Sequence, residues 1–146
     1  MQPQRGFTLI ELLVVLVIIA IAAVSVTLSV RDTQADLLQR DAQRLTAQLE
    51  AKRSASRTSG VVWVWRVQGN GYVIEPTTAQ KNDAPLQITW YSTGLVAQTN
   101  SPDGRVVLGP EPLLSPISID LSIDSGKSPT RLQIASDGLR GFEVRP

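Results

Sequence analysis

The sequence predicts an α+β chain: one long N-terminal helix whose second half packs on an antiparallel β-sheet domain. Three observations carry this. No Gly or Pro occurs from Phe7 to Ser59, although the chain holds 10 Gly and 9 Pro. Over residues 35–49 the apolar residues recur at helical spacing. Past Gly60 the apolar period drops to two, the spacing of a half-buried strand. Four segments follow: residues 1–6, a first helix half over 7–30, a second over 31–59, and a β-rich domain over 60–146.

Composition removes several classes of chemistry. The 146 residues include no Cys and no His. Disulfides, thiol nucleophiles, Cys/His zinc sites and His-based acid–base catalysis are therefore absent. The formal net charge is +1, so composition alone points to no polyanionic partner. No nucleophile–base constellation is visible, and Lys52, Lys81 and Lys127 stand alone in sequence. The chain reads as a non-enzyme, and no cofactor is expected.

The first helix half begins at Phe7 and runs to Val30 as FTLIELLVVLVIIAIAAVSVTLSV. Leu12 to Val24 is wholly apolar. At ~1.5 Å per residue the segment reaches about 36 Å, enough to cross a hydrocarbon core of ~30 Å. A transmembrane first half is expected. Arg5 precedes the run without an acidic neighbour, which places the N-terminus on the cytoplasmic side. A cleaved secretory signal is the bland alternative, with Ala20, Ala22 and Ala23 offering a small-residue cut.

Glu11 is the one charge in this segment. A charge deep in a bilayer costs roughly 2.5–3.5 kcal/mol on insertion scales. At the membrane surface, near a helix start, the cost is small. The sharper reading gives the carboxylate a cation inside an assembly. If the chain were cut between Gly6 and Phe7, Phe7 would carry a free amine. Phe7 and Glu11 are i, i+4 and share a helix face. An anion in the first turn also suits the helix dipole. Between packed subunits, each Glu11 could neutralise a neighbour's Phe7 amine.

The segment Arg5-Gly6-Phe7-Thr8-Leu9-Ile10-Glu11, followed by LLVVLVIIAI, resembles the class III signal of type IV pilins and type II secretion pseudopilins. The resemblance implies a prepilin leader over residues 1–6, cleavage after Gly6 by a prepilin peptidase, N-methylation of Phe7 and an assembly role for Glu11. Many pilins carry a Pro or Gly within the membrane half; this chain has none there. Local melting of the helix on assembly is thereby in doubt.

Past the span, Ala35, Leu38, Ala42, Leu45 and Leu49 recur at spacings of 3, 4, 3 and 4, an amphipathic stripe. Arg40, Gln43, Arg44, Gln48 and Lys52 fall on other faces. The stripe is read as packing on the chain's own domain, with subunit packing the sharper alternative. Gly60 is a natural stop, with Arg57 in the last turn.

Val61 to Val67 reads as a strand, Gln68-Gly69-Asn70-Gly71 as a hairpin turn, and Tyr72-Val73-Ile74 as its return. Further strands are read at Leu86–Tyr91, Val106–Leu108, Ile117–Ile123, Arg131–Ile134 and Phe142–Val144. Asp124 to Pro129 and Ser136-Asp137-Gly138 are turns. Residues 75–85 and 99–116 read as irregular. Trp63 and Trp65 lie two apart and face one side, taken as core against the helix rather than an exposed pair. Asp120, Asp124 and Asp137 lack the dense oxygen-ligand spacing of a calcium site, so no metal is expected.

The β region is similar to the H-type minor pseudopilin of type II secretion and its FimT-like pilin relatives. The shared pieces are Ser59-Gly60, the Trp-rich first strand, Gly71-Tyr72, the Pro-rich segment before Ile117, and Ser136-Asp137-Gly138. The resemblance implies a structural minor pseudopilin of the secretion pseudopilus. Its partners would be the major and tip pseudopilins, the prepilin peptidase, the inner-membrane assembly platform and, before assembly, membrane lipid. The β-domain would be periplasmic. The alternative is a FimT-like minor pilin that serves pilus assembly or DNA uptake, for which Arg140 and Arg145 are the only cations on offer. Two arginines flanking Glu143 are a poor match to a polyphosphate strand, and a nucleic-acid partner is not expected.

Overall fold

The computed structural model describes residues 9–78, 84–124 and 129–146. Helix α1 spans Leu9–Ser59 and is followed by eight strands: β1 Trp63–Val67, β2 Gly71–Pro76, β3 Leu86–Thr89, β4 Leu95–Thr99, β5 Arg105–Leu108, β6 Ile117–Ile123, β7 Thr130–Ser136 and β8 Glu143–Arg145. The chain divides into two compact units, one ending at Gln34 and one running Ala35–Pro146. The expected leader and cleavage site, with Gly6 and Phe7, lie outside the described residues, as do residues 125–128 of the turn expected after Asp124.

The helix persists because nothing interrupts it before Gly60. There the chain turns into the left-handed region, with φ of 75°, and the Gly60 N–H donates to the Ser56 carbonyl at 2.8 Å. That bond satisfies one of the orphan carbonyls of the last turn.

In the second unit the strands form two four-stranded antiparallel sheets, ordered β3-β2-β1-β5 and β4-β6-β7-β8. One hairpin, β1–β2, organises the first sheet, in the register Trp65↔Ile74 and Val67↔Tyr72. Its turn contains Gly69 at φ 57°, and the Gln68 N–H donates to the Gly71 carbonyl at 3.1 Å. The second sheet is centred on β6 and β7, in the register Ile119↔Ile134.

The core gathers Leu38, Ala42, Leu45 and Leu49 from the helix with side chains of both sheets, Trp63, Trp65, Tyr72, Ile119 and Ile134 among them. Each fully buried leucine of that stripe contributes ~1.5–3 kcal/mol relative to exposure. Trp63 and Trp65 are both buried, as expected for an inward pair.

Two differences from the sequence reading stand out. Ala35 is exposed, so the stripe starts at Leu38; it continues past Leu49 through two polar residues, Arg53 and Ser56, both buried. β4 falls within residues read as having no strand. Its pattern alternates only between half-buried and exposed positions, which leaves a weak hydrophobic signal. The sequence reading set no number of sheets, and the strands divide between two. Consecutive strands β4 and β5 are joined by a short turn yet belong to different sheets, a choice that hydrophobic period alone cannot encode.

Candidate functional site

Glu11 sits in the first turn of α1. Around it, every large apolar side chain from Leu9 to Ile21 is exposed, from 47% at Val15 to 84% at Leu9. A helix that is apolar on all sides is stable only when something covers it. Among the described residues, Glu11 is the single charge of that stretch and makes no ion pair. No helix among the described residues is long and apolar enough to cross a membrane. The partner expected for Glu11, the amine of Phe7, lies outside the described residues.

The second half of α1 does a different job: it holds the β-domain by polar bonds to backbone. Asp41 is buried, and its two carboxylate oxygens accept from the N–H groups of Tyr91 and Ser92, each at 2.9 Å. Glu50 accepts from the Phe142 N–H at 2.7 Å. Arg53 is buried and donates to the carbonyls of Gly138 at 2.6 Å and Arg140 at 2.8 Å. These bonds orient the loop after β3 and the segment that leads into β8. Sequence reading assigned no role to Asp41, Glu50 or Arg53. The signal that could have found two of them is spacing. Asp41 is three residues from Leu38 and Arg53 is four from Leu49, so both share the buried face.

The late turn is built as the sequence suggests. The Asp137 carboxylate accepts from the N–H groups of Leu139 and Arg140 at 2.9 and 2.7 Å, and Gly138 adopts a φ of 88°. The Arg140 and Leu139 backbone bonds hold the Asp137 carboxyl below the usual carboxylate range. Asp120 accepts from the Gln133 side chain at 2.8 Å. Among the described residues no cluster of carboxylates is placed to hold a metal ion.

Both arginines weighed for nucleic acid lie near carboxylates. Arg140 is 4.0 Å from Asp137, and Arg145 is 3.5 Å from Glu143. Arg66 pairs with Glu75 across β1 and β2 at 2.9 Å, and this bond lowers the Glu75 pKa.

An N-terminal helix packed on antiparallel sheets is an α+β arrangement consistent with a pilin-like fold. Within that class, residues 1–27 match the family described as the prokaryotic N-terminal methylation motif, the type IV pilin-like prepilin signal. The motif implies processing by a prepilin peptidase and assembly with other pilin-like subunits. No curated protein and no solved structure matches the chain.

Proposed function

We propose that this protein is a minor pseudopilin of the type II secretion pseudopilus, a structural subunit rather than an enzyme. One observation carries the reading. A single carboxylate, Glu11, stands in an otherwise apolar helical stretch whose large side chains are all exposed, within the matched prepilin signal. In lipid that charge is unfavourable; in a fibre it has an answer.

The mechanism follows from these parts. A prepilin peptidase cuts between Gly6 and Phe7, and Phe7 becomes the methylated N-terminus. The apolar half, residues 7–30, holds the subunit in the inner membrane, with the β-domain in the periplasm. Extraction by the assembly platform exchanges lipid contact for contact with neighbouring helices. Glu11 then pairs with the Phe7 amine of the next pseudopilin, so a cost in the bilayer becomes an incentive to assemble. The similarity to the H-type subunit suggests a position near the fibre tip.

The alternative, a FimT-like minor pilin that takes up DNA, needs a cation cluster. Arg140 and Arg145 each have a carboxylate within 4.0 Å, which weakens the field a polyphosphate would meet.

The test is crosslinking in cells between the full-length chain and the other pseudopilins, comparing the native protein with Glu11→Leu. Incorporation should fall sharply in the variant. Undiminished incorporation would sink the charge-pairing role. N-terminal sequencing of the mature protein should find methylated Phe7; an intact Met1 in peptidase-competent cells would refute the processing site.

A further inference from the structure

β5 is an outer strand of the first sheet, and its free side is chemically defined. Between β1 and β5 the register is Trp63↔Leu108, Val64↔Val107, Trp65↔Val106 and Arg66↔Arg105. In an antiparallel pair, alternate residues direct both backbone groups to one neighbour. The Gln68 N–H and the Val62 carbonyl bond toward β2, so Val64 and Arg66 do too. Trp63 and Trp65 therefore serve β5, through Leu108 and Val106. The remaining residues of β5, Arg105 and Val107, direct their backbone groups to the open side. The Arg105 N–H agrees, since it donates to the Asp103 side chain and not to β1. Among the described residues nothing bonds the Val107 N–H or carbonyl on that side, and its side chain is half exposed at 50%.

Beside this edge lies a cavity of about 500 Å³, lined by Leu113 to Ile117 and also by Asn100, Ser101 and Glu111. Leu114 and Ile117 are half-buried there. Two of the other three outer strands are guarded, and the third, β4, carries no charge of its own. β8 is three residues long with Glu143 and Arg145, and the last carbonyl of β3, at Thr89, receives the Arg44 guanidinium at 3.5 Å. β5 has no such cover, and its one charge, Arg105, makes no ion pair among the described residues.

We propose that β5 is a docking edge for an extended segment of a partner protein, added as a further antiparallel strand. Backbone complementarity fixes the partner's conformation: only a strand satisfies the Val107 N–H and carbonyl together. Register fixes its sequence pattern. The residue opposite Val107 faces outward. Its two neighbours, opposite Leu108 and Val106, face the cavity and are apolar. The next residue stands opposite Arg105 and is acidic, an opposite-charge cross-strand pair. The recognised motif is apolar–any–apolar–acidic. This inference is independent of the secretion reading.

The test uses the full chain in detergent micelles and a dye-labelled synthetic peptide containing Ile-Thr-Ile-Asp, followed by fluorescence polarisation. The native protein should bind it. Val107→Pro, which removes the open N–H, should weaken binding at least tenfold. Arg105→Glu, an exposed change, should weaken it several-fold and restore it for the peptide with Lys in place of Asp. Absence of binding by the native protein, or equal binding by the native and Val107→Pro proteins, would overturn the proposal. So would an Arg105→Glu protein with no preference for the Lys peptide. Concentration-dependent dimerisation of the native chain, abolished by Val107→Pro, would assign the edge to a second copy and overturn the partner stated here.

Discussion

The guanidinium of Arg53 donates to the carbonyl of Gly138 at 2.6 Å, joining the last turns of the helix to a turn 85 residues further along the chain. Arg53 has no carboxylate within ion-pair distance among the described residues, so two carbonyls, of Gly138 and Arg140, stand in for one. The helix thereby fixes where the chain enters β8.

Removing Arg53 takes the charged donor from both carbonyls, leaving Gly138 the Leu114 N–H and Arg140 the Ser136 hydroxyl, and opens a void in a closed site. Arg53→Ala is expected to destabilise the protein by ~1–3 kcal/mol, with Arg53→Lys intermediate. Chemical denaturation of the detergent-solubilised chain measures both. A loss below ~0.5 kcal/mol for Arg53→Ala would contradict the clamp.

Asp41 accepts two N–H bonds, one on each oxygen. An amide can offer only one acceptor oxygen, and its NH2 group would oppose the other N–H donor. Asp41→Asn should therefore cost about 1–3 kcal/mol despite its near-identical shape. Amide exchange at Tyr91 and Ser92 should accelerate in the variant; unchanged protection at both would refute this role.

Gly138 combines a φ of 88° with a close approach: an added Cβ would meet the Leu114 carbonyl oxygen at 1.9 Å. Neither the turn nor the Leu114 N–H bond to the Gly138 carbonyl, 3.3 Å, can absorb a methyl group without moving backbone. Gly138→Ala should lower Tm by several degrees, more than an Ala at the equally left-handed but open Gly104.

The Tyr72 hydroxyl is buried without a hydrogen-bond partner among the described residues, and burial pushes its pKa up from 10.0 to about 12. A pKa raised on folding gives stability that is complete below the unfolded value and is lost as pH rises through the folded one. The native protein should weaken between pH 10 and about 12. Tyr72→Phe should flatten that alkaline loss and leave stability at pH 7 unchanged or slightly higher, because no bond is given up. Alkaline denaturation curves of the two proteins decide it.

Much of this molecule is legible along the chain. The helix is visible because its determinants are local: no breaker from Phe7 to Ser59, apolar spacing at the helical period, and Gly60 where the chain must turn left-handed. The strands with most burial on one face, β1 and β6, announce themselves by a period of two. The feature that began the functional reading, Glu11 in an apolar run behind Gly6 and Phe7, is local as well. Tertiary structure decided the rest. Whether β4 and β5 pair or part is set by competition among strands for neighbours, and no period records it. The roles of Asp41, Glu50 and Arg53 depend on which backbone groups arrive from residues 91, 142 and 138. The open edge of β5 exists only because its sequence neighbour β4 joined the other sheet. Periodicity reports which face of an element is buried; only the assembled chain determines what that face meets.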